Sequence, residues 1–444
     1  MLLEQLDALK ISGVLKNSAL AELQGKTIAD DTGFTPPAPE SFAEAKISEH
    51  LVESIVLKFL QNRGIASGRD ISAQLCLPFR LLDEYLRNLK KEQLVSHKSS
   101  APMQDYIYEL TGTGWERAKR YREQSTYFGA TPVTHDEWIS SVQKQSLRAK
   151  APGPEDLKRA VSDLVLPDKF FNQVGQAVAS GKAMFLYGLP GNGKTSIAQR
   201  ICSAFGKHIW IPRSLVYDGE IVRLYDPIVH VAAPPSDDPK IDHRWIKIVR
   251  PTVIAGGELT LDQLEMTVVG NSGVVEAPLQ MKSNCGLLVI DDFGRQRCSP
   301  ADLLNRWIVP LETAVDFLNL PSGKKICVPF EQMIVFSTNL APRDLVDEAF
   351  LRRIPYKVEA PNPTDEQFLN VFKIMANKLG VEFDNETYEY MVQTHFIEKD
   401  RGFRYCHPRD LLMQVKTFCE FAGRPVEMTK ETIDTAAENY FVSL

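Results

Sequence analysis

The residues best suited to chemistry lie in one glycine-rich stretch, residues 188–195, which reads Gly-Leu-Pro-Gly-Asn-Gly-Lys-Thr. This stretch matches the pattern G-x-x-x-x-G-K-[ST] at every specified position. Glycines let a backbone approach an anion closely because no Cβ blocks the way. Successive N–H groups and the positive end of a following helix then face that anion. The stretch, called the phosphate loop below, therefore predicts a site for nucleotide phosphates.

The neighbours of the phosphate loop supply the structural context that this chemistry needs. The apolar residues 183–187 predict a buried strand, and residues 196–205 predict a helix that follows the loop. In such a unit Lys194 would contact the β- and γ-phosphates, and the Thr195 hydroxyl would bind Mg²⁺. ATP and Mg²⁺ are therefore the expected cofactors. The residues predicted to bind them here are Gly188, Pro190, Gly191, Asn192, Gly193, Lys194, Thr195 and Ser196.

A second chemical feature is a pair of carboxylates that follows an apolar run. Residues 287–290 read Leu-Leu-Val-Ile, and Asp291 and Asp292 come directly after them. A continuous apolar run is typical of a strand in a buried parallel sheet, where functional groups lie at the carboxyl ends of the strands. We expect Asp291 to hold Mg²⁺, directly or through water, and Asp292 to polarise the attacking water.

With these motifs the chain resembles the AAA+ ATPases over residues 155–444. The resemblance implies an α/β P-loop NTPase core, with a parallel sheet flanked by helices, and a C-terminal helical lid. AAA+ proteins usually carry Glu where this chain has Asp292, so the carboxylate here is one methylene shorter. The sequence does not show whether the shorter side chain of Asp292 can contact the attacking water.

Two further segments are similar to the sensor motifs of that family. Residues 334–339 form an apolar run that ends in Asn339. They resemble the sensor-1 strand, which implies that Asn339 helps to position water against the γ-phosphate. Residues 407–410 read His-Pro-Arg-Asp and resemble the sensor-2 motif. This likeness implies that Arg409 contacts phosphate within the same subunit.

The segment 347–353 resembles the one that carries the arginine finger of AAA+ proteins. In that family the finger reaches the ATP of a neighbouring subunit and offsets negative charge in the transition state. Either Arg352 or Arg353 could serve, and the sequence does not choose between them. The resemblance therefore implies a homo-oligomer, with a hexameric ring as the expected form.

A predicted β-hairpin narrows the resemblance. Residues 315–320 and 325–328 alternate in polarity around Pro321-Ser322-Gly323-Lys324, which is typical of strand, turn and strand. A hairpin just before the sensor-1 strand resembles the pre-sensor-1 β-hairpin group. That group includes MoxR-like chaperones, magnesium chelatase subunits and bacterial enhancer-binding activators.

The connection over residues 210–280 is longer than a minimal AAA+ core needs. Its aromatic residues Tyr217, Tyr225 and Trp245 have two interpretations. In ring ATPases this zone faces the central channel, so they could contact a substrate. Aromatic residues at strand spacing are more often part of a core, and both interpretations stay open.

An N-terminal unit precedes the ATPase part. Residues 47–125 predict three helices, a two-stranded wing and a closing helix, an order that resembles the winged-helix family. Its third helix carries Arg80 and Arg87 but also Asp83 and Glu84, whereas a helix that reads DNA more often has a clean basic or amide face. We therefore favour a protein-binding role for this unit over DNA binding.

The predicted organisation of the chain follows from these segments. Residues 1–26 could form a short amphipathic helix, which either packs on its own protein or docks a partner. Residues 33–39 are rich in proline and predict an extended linker. The predicted units are an N-terminal segment (1–46), a winged-helix-like domain (47–125), a linker (126–154), an AAA+ core (155–360) and a helical lid (361–444).

Composition bounds the class of protein and its environment. The net charge is −6. The chain therefore lacks the strong basic excess that is typical of a protein whose main task is to coat nucleic acid. The seven cysteines are not paired at zinc-site spacing, which favours a reducing compartment. The first residues lack the pattern of a signal peptide, and no run approaches the length of a membrane span. We expect a cytoplasmic protein without membrane insertion.

These observations predict an ATPase that binds and hydrolyses ATP in an oligomeric ring and remodels or assembles a client protein. Two alternatives remain at this stage. One is a DNA-associated ATPase, such as a loader or transcription regulator, that uses the winged-helix-like unit. The other is an ATP-binding switch with slow turnover, for which the shorter carboxylate of Asp292 would be the cause.

Overall fold

The computed structural model describes residues 33–149, 151–236 and 238–441. The amphipathic helix predicted over residues 1–26 lies outside them. The helices are α1 Glu49–Arg63, α2 Gly68–Leu75, α3 Phe79–Lys91, α4 Gly112–Gln124, α5 His135–Lys144, α6 Pro154–Ala160, α7 Asp168–Ser180, α8 Lys194–Ile201, α9 Leu279–Lys282, α10 Pro300–Thr313, α11 Pro342–Leu345, α12 Glu348–Leu351, α13 Asp365–Leu379, α14 Asn385–Met391, α15 His407–Phe421 and α16 Lys430–Tyr440.

The strands alternate with helices in the central part of the chain, as expected for an α/β core. They are β1 Ile65–Ser67, β2 Val95–Ala101, β3 Asp105–Leu110, β4 Val133–Thr134, β5 Met184–Tyr187, β6 His208–Pro212, β7 Ser214–Tyr217, β8 Glu220–Arg223, β9 Trp245–Val249, β10 Thr252–Ala255, β11 Thr267–Val268, β12 Val274–Glu276, β13 Leu287–Ile290, β14 Val315–Asn319, β15 Lys325–Pro329, β16 Met333–Thr338 and β17 Tyr356–Glu359.

The core of the molecule is a parallel sheet of five strands in the order β10–β13–β16–β5–β17. Its central strands are apolar at successive positions because helices cover both faces. Met184 and Leu186 of β5 pack on the side of α7 and α8, whereas Phe185 packs on the side of α10. This arrangement is an α/β P-loop fold with helices following at the C-terminus, as the sequence predicts.

A second, mixed sheet is built largely from the long connection between β6 and β13. Its strand order is β11–β12–β8–β7–β4. The predicted hairpin is present as β14 and β15, which pair antiparallel from Val315–Pro329 to Asn319–Lys325. Tyr217 and Trp245 are only 6% and 5% exposed, and both belong to the apolar cluster of this region. Of the two interpretations left open by the sequence, their burial supports a place in the core.

The N-terminal unit has the order of elements that the sequence predicts. Helices α1 to α3 pack around an antiparallel sheet in the order β1–β3–β2, and α4 closes the unit against α1. Local signals set its helix starts, since the Ser48 hydroxyl caps α1 and Ser67 forms a capping box with Asp70 in α2. A further strand, β1, pairs with β3 and adds a third strand to the predicted two-stranded wing.

Residues 33–46, which include the extended linker predicted over 33–39, make specific contacts with the rest of the chain. The Phe34 ring packs on Trp245 at a centroid distance of 5.5 Å. Arg244, which is 2% exposed, forms an ion pair with Asp242 and donates a hydrogen bond to the Ala45 carbonyl. These contacts join the N-terminal segment to the region that carries the second sheet.

Residues 126–154, also predicted as a linker, contain β4 and α5. Trp138 of α5 is 1% exposed and lies in the same apolar cluster as Trp245. The Tyr127 hydroxyl hydrogen-bonds the Ser214 hydroxyl at 2.8 Å. This part of the chain is therefore integrated into the second sheet and its supporting helix.

The C-terminal part is helical, as predicted, and has its own core. The rings of Phe368 and Phe403 stack at 4.3 Å, and Phe372 and Leu411 are fully buried beside them. Among the described residues, no helix combines the length and the apolar character required to cross a bilayer.

Candidate nucleotide-phosphate site

The phosphate loop leaves the carboxyl end of β5, a strand that lies between β16 and β17. Because the sheet is parallel, the residues that follow β13 and β16 reach the same edge. Asp291 and Asp292 follow β13, and Asn339 follows β16. The topology thus gathers at one edge residues that are up to about one hundred and fifty positions apart in the chain.

Thr195 and Asp291 meet at this edge. The Thr195 hydroxyl donates a hydrogen bond to Asp291 Oδ2 at 2.8 Å. A hydroxyl and a carboxylate oxygen side by side are the hard oxygen ligands that Mg²⁺ prefers in protein sites completed by phosphate. These two residues therefore fit the predicted metal position.

Lys194 is the most strongly bonded side chain of the site. Its Nζ donates to the carbonyls of Gly188 and Leu189 at 2.9 and 3.1 Å, and to Asn339 Oδ1 at 2.8 Å. Lys194 is only 7% exposed. All three of these hydrogen-bond partners lie along the phosphate loop or directly after β16. Its ammonium group is thereby held over the mouth of the loop.

Asn339 links Lys194 to the predicted catalytic carboxylate. Its Nδ2 donates to Asp292 Oδ1 at 3.1 Å, while its Oδ1 accepts from Lys194. The amide therefore holds the lysine and the carboxylate at once. A displacement of Lys194 or of Asp292 would therefore alter a hydrogen bond of Asn339.

Burial and charge act in opposite directions on Lys194. Burial lowers the pKa of Lys194 below its usual range, whereas the nearby carboxylates of Asp291 and Asp292 raise it again. A bound phosphate would add further negative charge and favour the protonated ammonium. An anionic ligand at this site would therefore favour the positively charged form of Lys194, which is the form that binds it.

The glycines of the loop are required by its shape. Gly188 has φ +136°, and a Cβ there would lie 2.6 Å from the Ala360 carbonyl oxygen. Gly191 has φ +85°, and a Cβ there would lie 2.5 Å from Cys406 Sγ. Gly193, at φ +73°, caps α8, so a side chain would be strained at each of these positions.

Asn192, Pro190 and Ser196 were predicted to bind the cofactor, and the structure assigns them different surroundings. Asn192 is buried and its Nδ2 donates to Asn362 Oδ1 at 2.8 Å, which ties the loop to the chain after β17. Pro190 is exposed at the loop surface. Ser196 is half-buried in the first turn of α8, and its carbonyl accepts from Arg200.

Asp292 has a left-handed backbone with φ +49°, which aspartate tolerates better than longer side chains do. The turn is held by Gln296, whose Nε2 donates to the carbonyls of Asp291 and Asp292 at 2.8 and 3.2 Å. Its Oε1 accepts from the Gly294 amide at 2.8 Å. Sequence reasoning did not single out Gln296, because a lone glutamine in a turn carries no motif.

The two candidate finger arginines differ in their surroundings. Arg352 is exposed, whereas Arg353 Nε lies 2.7 Å from Glu312 Oε1 and its side chain is 20% exposed. The exposed guanidinium of Arg352 is accessible to a neighbouring molecule. Arg353 is engaged within its own chain.

Arg409 contacts its neighbour Asp410 at 2.7 Å, and its side chain is 60% exposed. The predicted contact of Arg409 with phosphate stays a prediction, and the residue before this helix, Cys406, donates its backbone N–H to the Gly191 carbonyl at 2.9 Å. Cys406 precedes α15, so the start of the helix that carries Arg409 rests on the loop. No sequence signal marked Cys406 as a contact residue.

Comparison with known proteins gives one family match and a set of similar solved structures. Residues 364–439 match a family described as a domain of unknown function (DUF8689). No curated protein matches the chain.

Among solved structures, NtrX from Brucella abortus is similar at 15% identity and a TM-score of 0.41, over 65% of this chain and 59% of that one. NtrX in complex with ATP is similar at 13% identity and a TM-score of 0.39, over the same shares of the two chains. The Thermotoga maritima RuvB Holliday junction branch migration motor is similar at 14% identity and a TM-score of 0.35, over 67% and 74%. Such remote likeness carries no function, which depends on the residues of the site.

Proposed function

We propose that this chain is an ATPase of the AAA+ type that binds ATP with Mg²⁺ at the phosphate loop and hydrolyses it. The observation that carries the proposal is a set of three side-chain contacts at the sheet edge. Thr195 bonds Asp291, and Asn339 bonds both Lys194 and Asp292. A glycine loop alone could be a structural turn, but a turn would not need these five polar side chains to converge on it.

Binding is the first task of the site. The backbone of the phosphate loop and the start of α8 surround the phosphates, and Lys194 supplies a positive charge to the β- and γ-phosphates. Thr195 and Asp291 hold Mg²⁺, which would neutralise charge on the phosphate oxygens. Lys194 exchanges its bonds to the Gly188 and Leu189 carbonyls for bonds to phosphate.

Hydrolysis depends on Asp292 and Asn339. Asp292 accepts a hydrogen bond from the attacking water and polarises it, and Asn339 keeps the carboxylate and the water aligned with the γ-phosphate. Phosphoryl transfer needs little covalent help from a protein, so positioning and charge compensation provide most of the catalysis. Gln296 supports Asp292 through the backbone of its turn.

The site is completed by a second copy of the chain. Arg352 reaches the nucleotide of the neighbouring subunit and compensates transition-state charge. Its exposure supports this role over Arg353, which pairs with Glu312. Arg409 leaves Asp410 to contact phosphate within its own subunit when α15 closes on the loop. Repetition of the contact gives a ring, with six subunits as the expected number.

The work of the ring is to remodel or assemble a client protein, as in MoxR-like AAA+ proteins. The N-terminal unit is joined to the second sheet by Arg244 and the segment around Phe34, so that motion of the core would move it. Two arginines of this unit are paired with carboxylates, Arg87 with Asp83 at 2.8 Å and Arg117 with Glu53 at 2.6 Å. The pairing of Arg87 within the third helix supports a protein partner over duplex DNA.

The proposal is tested by the Mg²⁺-dependent ATPase activity of Thr195→Val beside Thr435→Val. Valine removes the Thr195 hydroxyl with little change in shape, and we expect activity to fall by about one hundredfold or more. Thr435→Val, the same substitution in α16, should retain most of the activity. Equal activity of wild type and Thr195→Val would overturn the assignment of the metal position.

DNA binding is tested separately by the salt dependence of duplex binding. Phosphate contacts produce a steep loss of affinity as salt rises. We expect no such binding, and therefore no effect of Arg80→Ala or Arg87→Ala. A steep salt dependence that either change reduces would favour the DNA-associated alternative.

A further inference from the structure

The paired residues of β13 and β16 end at Ile290 and Phe336. Beyond this point the two chains continue into the segments that carry Asp292, the predicted catalytic carboxylate, and Asn339, the predicted sensor. Asp292 turns its segment out of the extended conformation, because its φ is +49°. Parallel strands bond through main-chain groups at even intervals, so a regular ladder does not continue across such a residue. The relative position of the two segments therefore depends on other contacts.

Thr338 supplies two of these contacts through one side-chain oxygen. Its hydroxyl donates a hydrogen bond to the Phe293 carbonyl at 2.9 Å. The same oxygen accepts a hydrogen bond from the Leu340 N–H at 3.2 Å. Phe293 directly follows Asp292, and Leu340 directly follows Asn339. One hydroxyl thus joins the main chain beside the carboxylate to the main chain beside the sensor amide.

The hydrogen bond between Thr338 and Phe293 lies inside the protein. Both residues are 1% exposed, and the Phe293 ring packs on the Phe336 ring at a centroid distance of 5.0 Å. The Phe293 N–H also donates to the Ser337 carbonyl at 2.7 Å. Loss of the Thr338 hydroxyl would deprive a buried carbonyl of this partner, and a buried polar group that loses its partner is destabilised. The fold therefore favours keeping the two segments joined at this point.

The two functional side chains are less protected than the hydroxyl that lies behind them. Asn339 Nδ2 donates to Asp292 Oδ1 at 3.1 Å, but Asp292 is exposed and Asn339 is half-buried. Water competes for a hydrogen bond in such a place, so this bond alone holds the pair weakly. The main chain that carries the two residues sets their separation, and the buried Thr338 hydroxyl bonds that main chain on both sides.

We infer that Thr338 is a positioning residue for ATP hydrolysis, an inference that rests on the proposed function. Its hydroxyl holds the segments of Asp292 and Asn339 at the separation at which the carboxylate and the amide contact the same water. A displacement of catalytic groups by about 1 Å can lower a rate by about one hundredfold. Because the hydroxyl acts through the main chain and not on the phosphates, its loss should lower kcat and leave ATP affinity largely unchanged.

The first test removes the hydroxyl from Thr338 and, as a matched control, from Thr131. Thr338→Val keeps the shape of the side chain, and we expect kcat to fall about tenfold while ATP affinity stays within about threefold of wild type. Thr131 is 0% exposed, and its hydroxyl has no hydrogen-bond partner within the described part of the chain. Thr131→Val should therefore hydrolyse ATP at the wild-type rate. Steady-state kinetics and direct binding of ATP measure the two quantities.

Two smaller side chains assign the effect to the hydroxyl oxygen. Thr338→Ser and Thr338→Ala differ by that oxygen alone, so they decide the question even if Thr338→Val does not fold. We expect serine to keep at least about half of the wild-type kcat, and alanine to lose about tenfold. Thr338→Val should have no further effect on kcat in an Asn339→Ala background, because residues that act as one unit are not additive.

A second readout does not depend on hydrolysis. It is the NMR signal of the Asn339 side-chain amide in the nucleotide-free chain, assigned through Asn339→Ala. We expect this signal to shift in Thr338→Val and Thr338→Ala, and to stay in place in Thr338→Ser and Thr131→Val. If wild type does not hydrolyse ATP, the proposed function fails and the amide signal still decides the role of Thr338. An unchanged signal in Thr338→Ala, an unchanged kcat, or an equal fall of kcat and ATP affinity would overturn the inference.

Discussion

Two buried lysines in different parts of the molecule have opposite surroundings. Lys58 of α1 is 4% exposed and donates to the Ser125 carbonyl at 2.9 Å. Lys194 is 7% exposed and has three acceptors, with Asp291 and Asp292 nearby. Burial lowers the pKa of both, but only Lys194 has carboxylates that oppose the shift. Burial alone therefore does not distinguish the two lysines. The acceptors and carboxylates around Lys194, beside a glycine loop, do distinguish them, and the proposed role of Lys194 rests on these.

The same difference distinguishes the two regions as a whole. In the N-terminal unit, the ion pairs are separate from one another, such as Lys98 with Glu109 at 3.4 Å and Arg87 with Asp83 at 2.8 Å. At the edge of the central sheet, polar groups from separate strands converge on one loop. The first pattern is that of a surface or interaction domain, and the second is that of a site for a charged ligand.

The largest expected effect is that of Lys194→Ala. Loss of the ammonium group removes charged hydrogen bonds to phosphate, and we expect ATP affinity to fall by about one hundredfold or more. Lys182→Ala, an exposed lysine just before β5, is the matched control and should bind ATP normally. Binding of a fluorescent ATP analogue measures both, and unchanged affinity in Lys194→Ala would remove the basis of the comparison.

Asp292→Asn comes next. Asparagine tolerates the left-handed φ of +49° but cannot accept the proton from water as a carboxylate does. We expect kcat to fall by about one hundredfold or more while ATP affinity stays within about threefold of wild type. Steady-state kinetics and direct binding separate the two quantities. Unaltered hydrolysis would mean that Asp292 is not the residue that polarises water.

Asp292→Glu tests the role of the Asp292 carboxylate by lengthening the side chain while its charge is kept. The longer side chain restores the residue usual in AAA+ proteins but strains the left-handed turn by about 1 kcal/mol. We expect slower hydrolysis and a lower free energy of unfolding, measured by turnover and denaturant titration. A sharp rise in turnover would instead favour the slow-switch alternative.

Gln296 has a smaller expected effect, since it acts through the backbone. Gln296→Ala removes its bonds to the Asp291 and Asp292 carbonyls, and we expect kcat to fall about three- to tenfold with little change in KM for ATP. Gln296→Glu keeps the length of the side chain but cannot donate, so it should resemble alanine. A glutamate variant that matches wild type would exclude the positioning role.

Lys58→Met has the smallest effect and concerns the other lysine. Burial lowers the pKa of Lys58 from 10.5 to about 8, so the unfolded chain binds more protons between these values and stability rises with pH across that window. Methionine should abolish this rise, which we expect to be about 1–3 kcal/mol. Denaturant unfolding across the window measures it, and equal pH profiles of the two chains would contradict the burial of a charged lysine.

The parts of the site that the sequence could predict are those with local signals. The phosphate loop, the strand before Asp291 and the strand before Asn339 each have an apolar run followed by a polar residue type. The parallel topology then brings them together, which is a general property of such sheets. The hairpin of β14 and β15 was predictable for the same reason, from alternation and turn residues.

The parts that could not be predicted depend on contacts between distant segments. The contact of Cys406 with Gly191, the tie of Asn192 to Asn362 and the packing of Phe34 on Trp245 join residues that have no pattern in common. Prolines before residue 40 favour an extended chain, but they do not indicate the surface against which that chain lies. The sequence left two interpretations open for Tyr217 and Trp245, a channel and a core, because strand alternation alone does not reveal which face is covered.

The central claim is tested most directly by ATPase activity per subunit as protein concentration rises, in wild type, Arg352→Ala and Arg353→Ala, and in a mixture of Arg352→Ala with Lys194→Ala. We predict that wild-type activity rises with concentration and that Arg352→Ala stays inactive, whereas Arg353→Ala retains activity. The mixture should recover activity, because one chain supplies an intact nucleotide site and the other an intact arginine. Two results together would contradict a site completed by a neighbouring subunit. The first is a wild-type rate that does not change with concentration while sizing shows a monomer. The second is no recovery of activity in the mixture.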